Sequence, residues 1–414
     1  MSILTRILSI WPFGDKVVNC NFDYMKEMRS SEFIGLSASC MMLTAIGIDV
    51  MLPAFADIRH DFGIEAASSN TSYIVTVFFW GQLFQILFGP MSDRLGRLYV
   101  LRVGFAMYIL GSLGAALSPN LVYMLIARFV AGAGASAVFM TVIAMVRDKF
   151  SGDKMARVMS FIFTIFLFTP VLAPFLGLAI LNFFSWRIVF MFPPVFAILI
   201  LLWSRRMKET LTIEKRSNVK TSEQFFLFKT VMRDCSFLRY TLITTFLFGG
   251  ISSYVSNAEF IVGDIYKRPE LFAWLFACVG LIMATGALLN SKLVSIYGAK
   301  KTMNGLLAMY LTIALIMLVG VGIAMPLPNL YFFFICIALL LGINLAVEPN
   351  SSSLAMQNVG NYAGTASALY GTCFFFGGAL LGSLISYFLA FGLVAMAVGF
   401  AGIGIVTFLL NKRG

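Results

Sequence analysis

The stretch from Thr71 to Ser118, TSYIVTVFFWGQLFQILFGPMSDRLGRLYVLRVGFAMYILGSLGAALS, is two apolar runs joined by a short charged turn. Each run has the roughly 20 residues that a helix needs to cross about 30 Å of hydrocarbon. The runs are continuous, whereas the strands of a membrane barrel alternate apolar and polar residues in segments of about ten. The stretch therefore reads as a transmembrane helical hairpin.

Working outward, runs of this kind recur near 33–55, 71–90, 98–118, 121–146, 157–181, 187–204, 240–262, 270–290, 303–325, 328–347, 362–388 and 390–410. The chain is expected to be an all-α membrane protein with twelve transmembrane helices. Composition agrees: of 414 residues, 60% are apolar and 12% charged, too little charge for a surface that faces water.

A net charge of +11 would fit nucleic acid in a soluble protein, but here the basic residues sort by side. With the N-terminus inside, one side receives Arg6, Lys16, Lys26, Arg29, Arg94, Arg97, Arg102, Arg147, Lys149, Lys154, Arg157, the cluster from Arg205 to Arg239, Lys292, Lys300, Lys301, Lys412 and Arg413. The other keeps Arg59, Arg187, Lys267 and Arg268. Such a bias predicts a multi-pass protein of a bacterial-type inner membrane with both termini cytoplasmic, and no nucleic-acid partner.

The chain divides near its middle. The polar stretch 205–239 is expected to be a cytoplasmic linker between six-helix bundles at 33–204 and 240–410, with a tail at 411–414. The charged turn recurs as Ser295-Ile-Tyr-Gly298-Ala-Lys300-Lys301, so aligning Gly96 with Gly298 superposes the halves. Two pseudo-symmetric bundles make a cleft where they meet, and rocking opens it to alternate sides. Residues 1–32 precede the first span, and Ile3, Leu4, Ile7, Leu8 and Trp11 share one face of an expected interfacial helix. Met25 and Met28 offer later starts for the chain.

Ionised groups at mid-membrane are costly and usually functional. Asp49 in span 1 and Arg128 in span 4 lie at similar depth, and a buried carboxylate and guanidinium there offset each other's desolvation. Protonating the acid would break the pair; the alternative is a static pair that fixes packing. Glu259, near the outer end of span 7, is a candidate for the cleft or an interfacial carboxylate reaching water. Gln82 in span 2 could bind substrate or a neighbouring helix. Glu348 reads as a solvated helix end. Gly132, Gly134, Gly378 and Gly382 form small faces for close helix packing.

Enzymatic and ATP-driven classes find no material. There is no phosphate-binding G-x-x-x-x-G-K-[ST] sequence, the one histidine, His60, sits beside Asp61 in a loop, and the six cysteines lack metal-ligand spacing.

The chain resembles the major facilitator superfamily over residues 33 to 410. Gly89-Pro-Met-Ser-Asp93-Arg94-Leu-Gly96-Arg97 is similar to its loop 2–3 signature, and the resemblance makes Gly89, Asp93, Arg94, Gly96 and Arg97 a gating motif. Ile48-Asp49 with Leu52-Pro53-Ala54, Gly81-Gln82-Leu83, Arg128 with Gly132, Ala173-Pro174-Phe-Leu-Gly177, Ser185-Trp186-Arg187 and Ala363-Gly-Thr-Ala-Ser-Ala368 resemble the drug:proton antiporter branch, especially the bicyclomycin-resistance/CflA group. Pro174 and Gly177 then belong to its antiporter-motif helix, although Ala173 and Ala131 depart from the usual glycine and glutamine. The resemblance implies proton and substrate coupling through Asp49 and Arg128. It also implies efflux of small lipophilic compounds or drugs by a monomer, with the proton gradient as energy source and no cofactor or metal. A dedicated metabolite or siderophore carrier of the same fold is the alternative, and a transporter-like receptor a remote one.

Overall fold

The computed structural model describes residues 28–65, 69–212, 214, 216, 221–359 and 363–412. The interfacial-helix reading of residues 3–11, and Cys20, lie outside these.

Among the described residues there are twelve helical spans, in two six-helix bundles. Span 1 is Ser30–Asp49, a 3-10 turn at Leu52–Ala54 and Phe55–Asp61; span 2 is Tyr73–Gly81, a 3-10 turn at Gln82–Phe84 and Gln85–Leu95. Spans 3 to 6 are Arg97–Ala116, Leu121–Lys149, Gly152–Leu181 and Trp186–Ser204. After a helix at Thr221–Met232 within the polar stretch, spans 7 to 10 are Cys235–Phe260, Phe272–Tyr297, Ala299–Ile323 and Leu330–Met356. Span 11 is Ala363–Thr372, a π-turn at Cys373–Gly377 and Gly378–Phe388, and span 12 is Leu393–Lys412.

Eleven of these are long and apolar enough to cross a membrane. The exception, span 7, carries Thr241, Thr244, Thr245, Ser252, Ser253, Ser256, Asn257 and Glu259, all buried. Lipid would reject that face, so its neighbours cover it: spans 10, 11 and 12 pack along it.

The internal repeat is visible in the backbone. Gly96 (φ 103°) and Gly298 (φ 78°) each end one helix and begin the next in the left-handed region, where a side chain is strained. Both charged turns sit on what we term the basic face, the end of the bundle that bears most of the Lys and Arg residues.

Span 1 runs to Asp61, past its expected end at residue 55, because Pro53 sits at the start of a 3-10 turn, where a missing N–H costs nothing. Asp49 therefore lies about 18 Å from the end of the span rather than one to two turns.

Span 5 straddles the halves, packing on span 1 of its own half and span 8 of the other. A Cβ on Gly177 would overlap the Val50 carbonyl, and Gly280 of span 8 meets Val171 and Pro170. Gly177→Leu is expected to lower the melting temperature of the purified protein by the several degrees that overpacking of ~1–3 kcal/mol implies; an unchanged thermal transition would contradict this contact. Gly132 on the Phe78 carbonyl, Gly134 on Tyr108, Gly378 on Phe248 and Gly382 on Ser252 are equally tight, so the small faces pack helices.

The halves touch on both faces. Span 2 lies along span 11 and span 5 along span 8, and Thr76 and Ser256 hydroxyls meet at 3.3 Å across the boundary. This is a closed state of the cleft.

Candidate functional site

Asp49 and Arg128 lie at one level of the N-terminal half, but no ion pair joins them. Arg128, fully buried, donates to the Gly47 carbonyl (2.6 Å) and the Ile74 carbonyl (3.3 Å) and stacks on Phe78 at 4.4 Å. It thus ties span 4 to spans 1 and 2. Residues 47 and 49 are about 200° apart around a helix, so the carboxylate leaves span 1 on the far side from the guanidinium. Asp49 is 5% exposed, and among the described residues no hydrogen bond or ion pair reaches it. One terminal nitrogen of Arg128 is also without an acceptor. A donor and an acceptor thus stand open in the same layer.

At mid-bundle the irregular turns of spans 2 and 11 pack on each other. A 3-10 or π-turn inside a long helix re-aims side chains and recurs at functional positions. Gln85 donates to Gln82 at 3.0 Å, and the Gln82 amide nitrogen has no partner among the described residues although the residue is 1% exposed. Around this junction run the rings of Phe79, Phe248, Phe374, Phe375, Phe139 and Phe166, each within about 6 Å of the next, crossing from one half to the other. Aromatic faces offer a large apolar surface with broad geometric tolerance.

On the face opposite the basic one, Arg59 closes the molecule. Its guanidinium donates to both Glu259 oxygens (2.9 Å each), to Asp264 (2.6 Å) and to Thr71 (3.0 Å), and Arg59 is 3% exposed. The reading of Glu259 as an interfacial carboxylate reaching water needs correcting: it lies where the halves meet, as half of a buried bidentate pair between spans 1 and 7. Arg59, placed in a loop by the sequence reading, is on the last turn of a span that is longer than expected. Below it, Asp61 accepts from the Trp186 indole (2.6 Å) and from Arg187 (3.2 Å), which anchors the Ser185-Trp186-Arg187 motif to span 1.

On the basic face Arg97 is the hub. It donates to Asp93 (2.5 Å), Asp148 (2.9 Å) and Ser92 (3.2 Å), while the Glu209 carboxylate caps the N-terminus of span 3 through the Arg97 and Leu98 amides. Asp93 also abuts the first turn of span 11 at Gly364, and Gly89 faces Ala368. A carboxylate at a helix N-terminus is favoured by the exposed amides and dipole. Arg94 is exposed and joins none of these bonds. Asp93→Asn is expected to loosen this face, raising the rate at which a thiol reagent labels a cysteine placed at the buried position 82 by about two- to fivefold, in keeping with ~0.3–1 kcal/mol. An unchanged rate would leave Asp93 a role in span 3 anchoring alone.

A family model described as Major Facilitator Superfamily matches residues 37–382. The chain belongs to this superfamily. It is 32% identical over 352 residues to an uncharacterized MFS-type transporter, YdgK, of Bacillus subtilis, covering 83% of this chain and 85% of that one. It is 27% identical over 376 residues to a bicyclomycin resistance protein homolog of Haemophilus influenzae, covering 87% and 91%. Among solved structures it resembles the human organic anion transporter MFSD10 with a TM-score of 0.69, 18% identity and coverage of 93% and 100%. The last likeness shows the fold; together the relatives place the chain among transporters rather than enzymes.

Within this major facilitator fold the sequence reading located Asp49, Arg128, Gln82, Asp93 and Arg97 on the surfaces where spans and halves meet. It missed Arg59, Asp264, Gln85, Asp148 and Glu209. Glu259 carried the signal for Arg59, because an acid inside an apolar run requires a cationic partner and Arg59 is one of the few basic residues on that side of the chain. Glu348 was misread as a solvated helix end: span 10 continues eight residues past it to Met356, and it is half-buried. Pro349, beside it, stays inside the helix without ending it.

Proposed function

We propose that this major facilitator protein exports small, largely apolar compounds in exchange for protons by alternating access, from a bacterial inner membrane in which the basic face and both termini are cytoplasmic. The observation that carries the reading is Asp49. It is a buried carboxylate without a cationic partner among the described residues, in the half whose Arg128 holds an open donor at the same level. An uncompensated charge at such depth costs at least ~2.5–3.5 kcal/mol. The carrier therefore passes through its closed state with a proton or a cationic group on Asp49, or with the carboxylate swung onto Arg128. Proton and substrate compete on that account, and the competition couples their fluxes.

The ion lock at Arg59 and the latch at Asp93 are the two gates of this cycle, opened one at a time. The aromatic girdle supplies the wall against which apolar substrates lie. Kinship with a protein named for bicyclomycin resistance supports efflux, and the sorting of basic residues supports the orientation. A membrane potential of 100 mV adds about 2.3 kcal/mol per charge moved, enough to drive accumulation without ATP.

In proteoliposomes without ATP, lipophilic drugs are expected to accumulate only when a proton gradient is imposed, and to leak back when a protonophore collapses it. Uptake indifferent to the gradient would overturn the exchange.

A further inference from the structure

We propose that Glu348 and Asn344 form a binding site in the C-terminal half for the protonated amine of an organic amine substrate. The inference rests on the transport reading above and names a substrate class for it. The two residues are four apart on span 10, hence on one helix face, and line one small, partly open cavity of about 10 Å³ with Thr244, Leu247, Phe248 and Phe374. That is room for one small polar group.

The cavity is rich in acceptors and poor in donors. Glu348 receives a single long hydrogen bond, 3.4 Å from the Tyr370 hydroxyl, and no ion pair among the described residues. Asn344 is 2% exposed and spends its amide nitrogen on the Leu247 carbonyl (3.0 Å), while its side-chain oxygen has no partner among the described residues. A buried acceptor left open is costly; with the open Asn344 oxygen and the half-buried Glu348 carboxylate four residues apart on one helix face, the pair suits one ligand that brings a positive charge and several N–H donors.

The walls specify the charge. Phe248 and Phe374 pack at 4.5 Å between ring centres with planes tilted by 45°, and Tyr370 stacks on Phe374 at 6.3 Å with planes 6° apart. Aromatic faces attract cations most when water is excluded. A primary or secondary ammonium satisfies all of these together: its N–H groups reach the carboxylate and the Asn344 oxygen, and its charge lies against the rings. Phe248 also touches Phe79 of the N-terminal half at 5.2 Å, so the apolar remainder of such a ligand would extend into the aromatic girdle. Glu259, the other acid of this half within an apolar run, is occupied by Arg59 and is not free to take an amine.

The test is equilibrium binding to the full-length protein in detergent, with no gradient, so that it fails independently of proton-coupled export. The probes are 4-phenylbutylamine, its neutral analogue 4-phenylbutan-1-ol, and the quaternary trimethyl(4-phenylbutyl)ammonium. The wild type is expected to prefer the amine over the alcohol by about 10- to 100-fold, the range of a hydrogen bond to a charged group, and over the quaternary ion by a smaller factor. Glu348→Gln should abolish the amine preference while leaving alcohol affinity unchanged, which also reports a folded cleft. Asn344→Leu should lower amine affinity without affecting the quaternary ion. Equal affinity of the wild type for amine and alcohol, or a preference that survives Glu348→Gln, would overturn the site. If Glu348→Gln fails to fold, Glu348→Asp takes its place: retained amine preference, weakened by the shorter reach, supports the site, and amine affinity equal to that of the alcohol contradicts it.

Discussion

Asp49→Asn is expected to reduce gradient-driven accumulation in proteoliposomes to that of protein-free vesicles, a loss of at least about a hundredfold in rate. The substitution keeps the volume and the buried position while removing the ability to carry a proton. The carboxylate has no hydrogen-bond partner among the described residues to forfeit, so stability should hold within the ±0.5 kcal/mol typical of substitutions that break no contact. That combination distinguishes a coupling residue from a packing one: a structural ion pair would lose fold and transport together. Downhill exchange of neutral compounds should persist in the variant, because the gates and the aromatic wall are untouched. Accumulation in Asp49→Asn comparable to the wild type would remove the acid from the mechanism.

Arg59→Ala is expected to open the face opposite the basic one. It leaves Glu259 and Asp264 together without the guanidinium that both accept from. Removing one partner of a buried pair costs ~3–5 kcal/mol, chiefly through the charge left behind. That free energy is relieved when the face parts and water reaches the acids, so it falls on the closed state. A shift of this size changes the open-to-closed ratio about 100- to 1000-fold or more. Labelling of a cysteine at position 82 should accelerate accordingly, and should slow again in Arg59→Ala combined with Glu259→Gln, which removes one of the stranded charges. The reciprocal swap, Arg59→Glu with Glu259→Arg, should restore closure in part, since Asp264 and Thr71 remain to bind the moved cation. Unchanged labelling in Arg59→Ala would mean that the pair packs helices without gating them.

Much of this architecture is legible in the amino-acid order because lipid is an unforgiving solvent. Every span must satisfy its own backbone and present hydrocarbon outward, so the apolar runs and the charged turns at Asp93 and Lys300 mark the helices plainly. Span 7 shows where hydropathy fails: once neighbours cover a helix, it can hold Ser, Thr, Asn and Glu along its length. The ends of spans were less legible. Stopping span 1 near Pro53 put Arg59 in solvent and left Glu259 without an evident partner, and a helix continuing through the proline resolves both.

The relative level of two residues on neighbouring helices was readable, but distance from the end of span 1 and direction around the helix were not. Asp49 and Arg128 were matched by level, and the structure keeps that match while turning the carboxylate away, because a guanidinium can be satisfied by the Gly47 and Ile74 carbonyls alone. The aromatic girdle could not be singled out among 42 phenylalanines; it exists only once spans 2, 4, 5, 7 and 11 are brought together. Glu348 was hidden by Pro349, which ordinarily argues for a helix end.

The most direct test is proton release on substrate binding, followed by a pH indicator in weakly buffered detergent solution. At a pH where Asp49 is protonated in the empty carrier, saturating the wild type with substrate should release about one proton per protein, and Asp49→Asn should release none while still binding. Binding without release in the wild type, or equal release in both proteins, would contradict exchange of substrate for a proton at Asp49.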